Sequence, residues 1–144
     1  MRTNPTTNWP YESAEAEHND ITLVRARGLG LPFDYGAQRY EMAGTLITNW
    51  MGDDGFLRRM NVQIRKPCNL GDTTWFSGEV VKKYKVTEGE VEYGAVDIRI
   101  DGVNQRGEMT TPGTATTYLP SPGREVTVPI PVKVDVIGST SIIQ

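Results

Sequence analysis

The chain of 144 residues has a net charge of -3, a hydrophobic fraction of 38% and a charged fraction of 23%. This composition is typical of one globular domain with its own core. It excludes the basic field that nucleic acid or anionic lipid needs, and no apolar run reaches the roughly 18–20 residues of a membrane span. The chain has one cysteine and no apolar run near its start, so we expect a cytoplasmic protein without a signal peptide.

Two helices are predicted in the first third of the chain. NDITLVRARG predicts a short helix with Asp20 as N-cap and Gly28 as its end. DYGAQRYEMAGTLITNWMG predicts a long helix with Asp34 as N-cap and Gly52 as its end. Apolar side chains recur along this helix at spacings of three and four, which predicts a buried stripe. The stripe consists of Ala37, Tyr40, Ala43, Leu46, Ile47 and Trp50.

After residue 55 the apolar period changes to two, which predicts four antiparallel strands. Gly78 predicts a bulge in the second strand, and Pro112-Gly113 predict a bulge or an edge position for the fourth. One long helix followed by strands favours an α+β fold, with the helix packed on one face of a single sheet. The four segments are FLRRMNVQIRK, TTWFSGEVVKKYKVT, EVEYGAVDIRI and MTTPGTATTYLP.

The predicted sheet has more apolar surface than one helix can cover. WFSGEVV and YGAVDIRI carry apolar side chains on both faces of their strands. We therefore expect a second subunit to cover part of the outer surface, as a homodimer or a higher homo-oligomer. The residues after 121 contain alternating valine and isoleucine with several prolines, which fits an edge strand, a partner-binding extension or a loose tail.

The stretch from the only histidine to the start of the long helix resembles a known motif. His18 stands two residues before Asp20, and Gly36 opens the helix. The chain resembles the MaoC-like acyl dehydratases, whose motif contains His-x-Asp, a short helix and then a glycine at the start of the central helix. LGDTTWFSGEV and NQRGEMTTPGTATTYLPS also resemble strands of that family. The similarity covers residues 12–121.

The resemblance implies a fold and a reaction. The fold is the hotdog, an antiparallel sheet wrapped around a long central helix, here residues 1–121 with an extension over 122–144. The reaction is hydration of a 2-enoyl thioester, or dehydration of the 3-hydroxyacyl thioester, with coenzyme A or acyl carrier protein as the carrier. His18 would be the acid/base, the Gly36 N–H would bind the enolate oxygen, and Ser13, Asp34 and Tyr35 would contact the substrate. No cofactor and no metal are implied.

The chain departs from the family motif at two places. Ser13 stands where the family has its catalytic aspartate, and Asp34-Tyr35 stand where it has an apolar residue and a histidine. One alternative function is an acyl-CoA thioesterase with Asp34, Asp53 or Asp54 as the base. Another is a non-catalytic subunit that binds an acyl thioester and completes a heteromer. The carboxylates that could replace the missing aspartate are Glu12, Glu15, Glu17, Asp20 and Asp34.

Overall fold

A computed structural model describes Thr3, Pro5, Thr6, Asn8 and residues 16–127. This part of the chain contains the two predicted helices and the four predicted strands in the predicted order, preceded by one further short helix that was not predicted. Within it, no helix is long and apolar enough to cross a membrane. The elements are α1 (Ala16–Asn19), α2 (Ile21–Ala26), α3 (Gly36–Met51), β1 (Phe56–Val62), β2 (Thr74–Glu88), β3 (Val91–Asn104) and β4 (Met109–Leu119).

The short helix α2 has the ends that the sequence predicts. The Asp20 carboxylate accepts hydrogen bonds from the N–H groups of Thr22 and Leu23, at 2.9 and 3.1 Å. These bonds satisfy two of the amides that a helix N-terminus leaves free. Gly28 follows the last turn with φ +75°, a conformation that glycine adopts without strain.

The long helix α3 differs from the prediction at its start. Tyr35 is the N-cap, with extended backbone, and its N–H donates to the Gln38 side chain at 3.0 Å. The prediction of Asp34 as N-cap was therefore wrong, because both Asp34 carboxylate oxygens bind Arg39 instead. Gly52 ends the helix as predicted, at φ +74°, and its N–H donates to the Thr48 carbonyl.

The buried stripe of α3 is narrower than the apolar pattern suggested. Arg39, Ala43 and Ile47, each four residues apart, are the buried positions of the helix. Tyr40 and Trp50 are 45% and 49% exposed, so their assignment to the stripe was wrong. Leu46 is half-buried, whereas Ala37 is exposed, so the assignment of Ala37 to the stripe was also wrong.

The four strands form one antiparallel sheet in the order β1-β4-β3-β2. Because β4 lies between β1 and β3, the prediction of an edge position for Pro112-Gly113 was wrong. Pro112 pairs with Asp101 of β3, and its carbonyl accepts the N–H of Gln63 just beyond the end of β1. The Arg65 N–H donates in the same way to the Thr110 carbonyl, so the missing N–H of Pro112 removes one donor from the pairing just past β1.

The bulge predicted at Gly78 lies slightly further along β2. The pairing with β3 shifts between Val80 and Lys82, so Val81 is the extra residue. Gly78 instead allows close packing, since a Cβ there would lie 3.3 Å from the Ile98 side chain and 3.6 Å from Leu46. The glycine therefore lets α3 approach the sheet.

The core lies between α3 and one face of the sheet. It consists of the buried side chains Ala43, Ile47, Val62, Val96, Ile98, Ile100 and Ala115. The opposite face carries a second cluster in which the rings of Tyr93 and Tyr118 stack 4.6 Å apart beside Ala95. Burial and the hydrogen bond to Glu88 raise the pKa of Tyr118 to about 12. The sheet is thus apolar on both faces, as predicted.

Residues 128–144 lie outside the described part of the chain. The interpretations of the tail as an edge strand, a partner-binding extension or a loose tail therefore stay predictions. The division into a domain of residues 1–121 and an extension of 122–144 also stays a prediction.

Candidate active site

The only histidine lies at the start of α3, although it belongs to α1. His18 is half-buried, and its Nδ1 is 2.7 Å from the carbonyl oxygen of Phe33. Its ring stacks on Tyr35 with centroids 3.9 Å apart, and it meets the edge of Phe33 at 4.9 Å. The two short helices and the following loop therefore bring His18 against the N-cap of α3, beside Gly36.

The contact with Phe33 determines which imidazole nitrogen carries the proton. A carbonyl oxygen can only accept a hydrogen bond, so Nδ1 of neutral His18 is the donor. The lone pair of the ring is then on Nε2. Such an imidazole can take a proton at Nε2 and return it, which is what an acid/base group must do.

The start of α3 offers backbone donors beside this histidine. The first amides of an α-helix have no partner within the helix and stand at the positive end of its dipole. In α3 these include the N–H of Gly36, whereas the N–H of Gln38 donates to the Tyr35 carbonyl at 3.1 Å. A Cβ on Gly36 would lie 2.6 Å from Cδ1 of Ile64, so the backbone here packs closely against a residue just past β1.

Asp34 is held by a buried arginine. Arg39 is 2% exposed, and its Nε and one terminal nitrogen each donate to an Asp34 oxygen at 2.6 Å. The Cys68 N–H also donates to the same carboxylate at 3.2 Å. Hydrogen bonding to Asp34 raises the pKa of the Arg39 guanidinium. Both oxygens of Asp34 are therefore engaged by the protein, and its predicted contact with substrate stays a prediction.

The carboxylates considered as substitutes for the missing aspartate divide into three groups. Asp20 caps α2, and Glu17 forms an ion pair with Arg27. Asp34 is paired with Arg39 as described above. Ser13, Glu12 and Glu15 lie outside the described residues, so the predictions made for them stay open.

The remaining candidates for chemistry lie away from His18. Asp53 and Asp54 form the turn after α3, about 24 Å from Gly36 by the length of a 16-residue helix. Cys68 is buried, with its sulfur 3.3 Å from the Thr74 hydroxyl. Across the described ranges, no group of three or more His, Cys, Asp or Glu side chains could hold a metal ion.

An apolar groove of about 60 Å³ runs between α3 and β2. It begins about ten residues along the helix from Gly36, which corresponds to about 15 Å. A larger, open cavity of about 1030 Å³ lies at the far end of the sheet, next to the β2–β3 turn, and does not include His18. The small groove is lined by Leu46, Ile47, Trp50, Gly78, Val80 and Ile98.

No protein-family model matches the chain, and no curated protein sequence matches it. Several solved structures do match, among them two hydratases and a two-protein complex. The (R)-hydratase from A. caviae involved in PHA biosynthesis has a TM-score of 0.62 at 18% identity, over 76% of this chain and 79% of that chain. R-hydratase PhaJ1 from Pseudomonas aeruginosa has a TM-score of 0.62 at 17% identity, over 88% of this chain and 74% of that chain. The ChsH1-ChsH2 complex from Mycobacterium tuberculosis has a TM-score of 0.59 at 21% identity, over 72% of this chain and 75% of that chain.

The chain has a hotdog fold. In this hotdog domain α3 is the central helix and the sheet β1-β4-β3-β2 packs around it. The prediction of an α+β hotdog architecture is thus confirmed.

One site residue of the hotdog domain was missed from the sequence. Arg39 lies on the same helical stripe as Ala43 and Ile47, so the pattern did contain a signal. A cation on a buried stripe requires a charged or polar partner, and Asp34 stands one and a half turns earlier. Because the stripe was predicted from apolar residues alone, the burial of the polar Arg39 was not predicted.

Proposed function

We propose that this hotdog domain hydrates 2-enoyl thioesters, or dehydrates the 3-hydroxyacyl thioesters that the same reaction forms. The observation that carries the proposal is His18, held at Nδ1 by Phe33 and stacked on Tyr35 beside the start of α3. Two proteins of the same fold are named as (R)-hydratases, which supports the reaction class.

The proposed reaction adds water across the C2–C3 double bond. His18 Nε2 takes a proton from water as the oxygen bonds to Cβ, and the electron pair of the double bond moves onto the thioester as an enolate. The Gly36 N–H donates to the enolate oxygen, where one such donor contributes about 10²–10³ in rate. His18 Nε2 then gives its proton to Cα, which completes the 3-hydroxyacyl product and restores the neutral imidazole. Because water is the only co-reactant, the reaction uses no redox cofactor.

The apolar groove between α3 and β2 supports an acyl substrate. Its lining by Leu46, Trp50 and Val80 suits a hydrocarbon chain, and it lies on the same helix as the proposed oxyanion donor. A thioester carbonyl at Gly36 could therefore direct its acyl chain along α3. We propose coenzyme A or acyl carrier protein as the carrier, and a homodimer as the active assembly.

A second candidate function follows from Ser13. Without the family's aspartate, the domain could bind an acyl thioester and leave the chemistry to a partner subunit. One of the matched structures, at 21% identity, is a complex of two proteins, ChsH1 and ChsH2, which makes a heteromer a reasonable form for such a subunit. The thioesterase alternative has less support, because Asp34 is paired with Arg39 and Asp53-Asp54 lie at the opposite end of α3.

One assay separates these functions. The purified protein is incubated with 2-enoyl-CoA thioesters of several chain lengths, and enoyl absorbance and free thiol are followed together. A hydratase removes the enoyl absorbance without releasing thiol. Thiol release at the same rate would show a thioesterase instead. Saturable binding with neither signal would support the non-catalytic subunit and reject the hydratase.

The Ser13→Asp variant tests the departure from the motif. If His18 and Gly36 form the hydratase site, restoring the aspartate should keep or raise turnover, because a second acid/base group would then be present. Ser13→Asn is the matched control, with a similar shape and no charge. A hydratase whose turnover falls in Ser13→Asp but not in Ser13→Asn would contradict this assignment.

A further inference from the structure

Arg39 is a buried cation in the core-facing stripe of α3 and is 2% exposed. A charge in this position is tolerated only when hydrogen bonds and an opposite charge replace water. Arg39 meets the requirement with the two 2.6 Å bonds to Asp34 and a 2.5 Å bond to the Lys66 carbonyl. Its location is therefore set by the protein's own groups.

The guanidinium is also connected to the sheet. The nitrogen that binds Lys66 lies 3.4 Å from the carbonyl of Thr110 and 3.4 Å from the hydroxyl of Thr111, both in β4. Thr110 and Thr111 are fully buried. Because a planar guanidinium donates in fixed directions, its orientation toward β4 determines where the Asp34 carboxylate can lie.

Asp34 in turn positions the backbone just before it. Its N–H donates to the Cys68 carbonyl at 2.9 Å, and the Cys68 N–H donates back to its carboxylate at 3.2 Å. Phe33 forms an isolated antiparallel bridge with Asn69. These contacts fix the segment whose Phe33 carbonyl accepts from His18 Nδ1.

We propose that the Arg39–Asp34 ion pair is a positioning pair for His18, acting through the Phe33 carbonyl. The pair holds this carbonyl in place, the carbonyl keeps the proton on Nδ1, and Nε2 is left as the reacting nitrogen. The effect on the imidazole tautomer is independent of any activity, whereas the effect on turnover rests on the proposed hydratase function.

The tautomer can be measured directly, because His18 is the only histidine in the chain. Nitrogen-15 NMR of the labelled full-length protein, at a pH where the imidazole is neutral, should show Nδ1 as the protonated nitrogen. Asp34→Asn and Arg39→Lys each break the two-bond pair and should reduce the Nδ1–H population. An unchanged tautomer in both folded variants would overturn the proposal.

The kinetic readout separates positioning from binding. Both variants should lower kcat by about 10- to 100-fold with little change in KM, as expected for a displaced acid/base group. Glu88→Gln is the matched control, since Glu88 is also a carboxylate paired with an arginine, Arg58, but lies on the opposite face of the sheet. It should leave both the tautomer and kcat unchanged.

A double variant keeps the test decisive if the single variants fail to fold. Asp34→Leu with Arg39→Met removes both charges and retains apolar volume, a type of replacement that buried ion pairs often tolerate. A folded double variant in which His18 loses the Nδ1–H tautomer supports the proposal, and one that keeps it overturns the proposal. If the native protein has no hydratase activity while the tautomer responds to these changes, the function fails and the positioning stands.

Discussion

At the residue scale, two groups carry the proposed chemistry, the Nε2 lone pair of His18 and the backbone N–H of Gly36. Both are in contact with neighbouring groups. His18 is held between the Phe33 carbonyl and the Tyr35 ring, and Gly36 packs against Ile64. Their effects are therefore separable by substitution, because one depends on a side chain and the other on the backbone.

His18→Ala should lower hydratase turnover by about 10²-fold or more, in line with the contribution of a positioned acid/base group. The fold should be preserved, because His18 is only half-buried. Steady-state assays with circular dichroism on the same samples measure both effects. Arg25→Ala, at an exposed position of α2, is the control and should keep full activity. Full activity in the folded His18→Ala protein would show that His18 is not the catalyst.

Gly36→Ala should lower turnover by less than about tenfold, because the added Cβ would meet only Cδ1 of Ile64, the end of a side chain that can shift. Ile64 is 44% exposed, so its side chain can be shortened with little loss of core. The double variant Gly36→Ala with Ile64→Ala should regain much of the lost activity, and the coupling is read from a double-mutant cycle. Additive losses would mean that the contact with Ile64 is not the reason for the glycine.

At the element scale, α3 and β4 determine the position of the Arg39 guanidinium, because α3 contains Arg39 and β4 contacts it. The helix brings the guanidinium into the core, and the central strand supplies the Thr110 carbonyl and the Thr111 hydroxyl. Gly44 of α3 and Gly113 of β4 also differ in their surroundings. A Cβ on Gly44 of α3 would find only Met60 Cε, at 3.9 Å, whereas a Cβ on Gly113 of β4 would lie 2.7 Å from the Asn61 carbonyl.

Gly44→Ala should raise the free energy of unfolding by about 0.5–1 kcal/mol, because alanine restricts the unfolded chain and favours a helix. Gly113→Ala should lower it by about 1–3 kcal/mol, because the neighbouring atom is backbone and cannot move alone. Urea unfolding of both variants gives the two values. If Gly44→Ala destabilises the protein as much as Gly113→Ala does, the space around each Cβ does not decide the effect of the substitution.

At the scale of the whole molecule, the sheet has an unpaired edge in β2 among the described residues. Trp75, Val80 and Val81 on this strand are 59%, 38% and 55% exposed. An apolar edge of this kind favours pairing with another chain. Another part of the sheet's apolar surface is covered by residues of the same chain, since Tyr84, Val86 and Val126 pack on the Tyr93–Tyr118 cluster.

We expect a dimer whose two sheets continue through their β2 edges, measured as a doubled mass by light scattering at micromolar concentration. Val81→Lys should shift the protein toward monomer, because a charge on an edge strand opposes pairing. The same change at Val91, which is 40% exposed at the start of β3, is the control and should leave the dimer intact. A stable monomer for the native chain would contradict the expectation.

Two carboxylates connect the loop after β1 to the β3–β4 turn and should affect stability in acid. The hydrogen bonds from Arg106 and Gln105 hold the pKa of Asp72 well below its usual range. The bonds from Asn104, Lys66 and Arg106 lower the pKa of Glu108 to about 2. Both groups bind protons less readily in the folded state, so their contribution is present above the unfolded pKa and is lost as the pH falls through the folded one.

Asp72→Asn should therefore lower the melting temperature by a few degrees at neutral pH. The difference from the native protein should shrink once the pH falls below about 4, where the unfolded carboxyl becomes protonated. Thermal melts across this pH range measure the difference. A gap that stays constant down to pH 2 would show that the Asp72 charge does not contribute.

The sequence by itself determined the features that depend on neighbours along the chain. The 3.6-residue and two-residue apolar periods predicted α3 and the four strands, because each element buries one set of its own side chains. Asp20 and Gly52 marked helix ends for equally local reasons. The resemblance to the family motif implied that His18 and Gly36 share a cleft, and the His18 ring stacks on Tyr35, the residue before Gly36.

Only the tertiary structure decided the features that depend on distant segments. Asp34 fits a helix cap by local rules, but Arg39 takes both of its oxygens once β4 and the Lys66 carbonyl have oriented the guanidinium. The interior place of β4 follows from the pairing of four strands, to which Pro112 alone gives no clue. The Nδ1 proton of His18 depends on the Phe33 carbonyl, which is brought to the imidazole by the folded loop. Local sequence patterns specify helices and strands, whereas the burial of a side chain and the identity of its hydrogen-bond partners depend on the assembled fold.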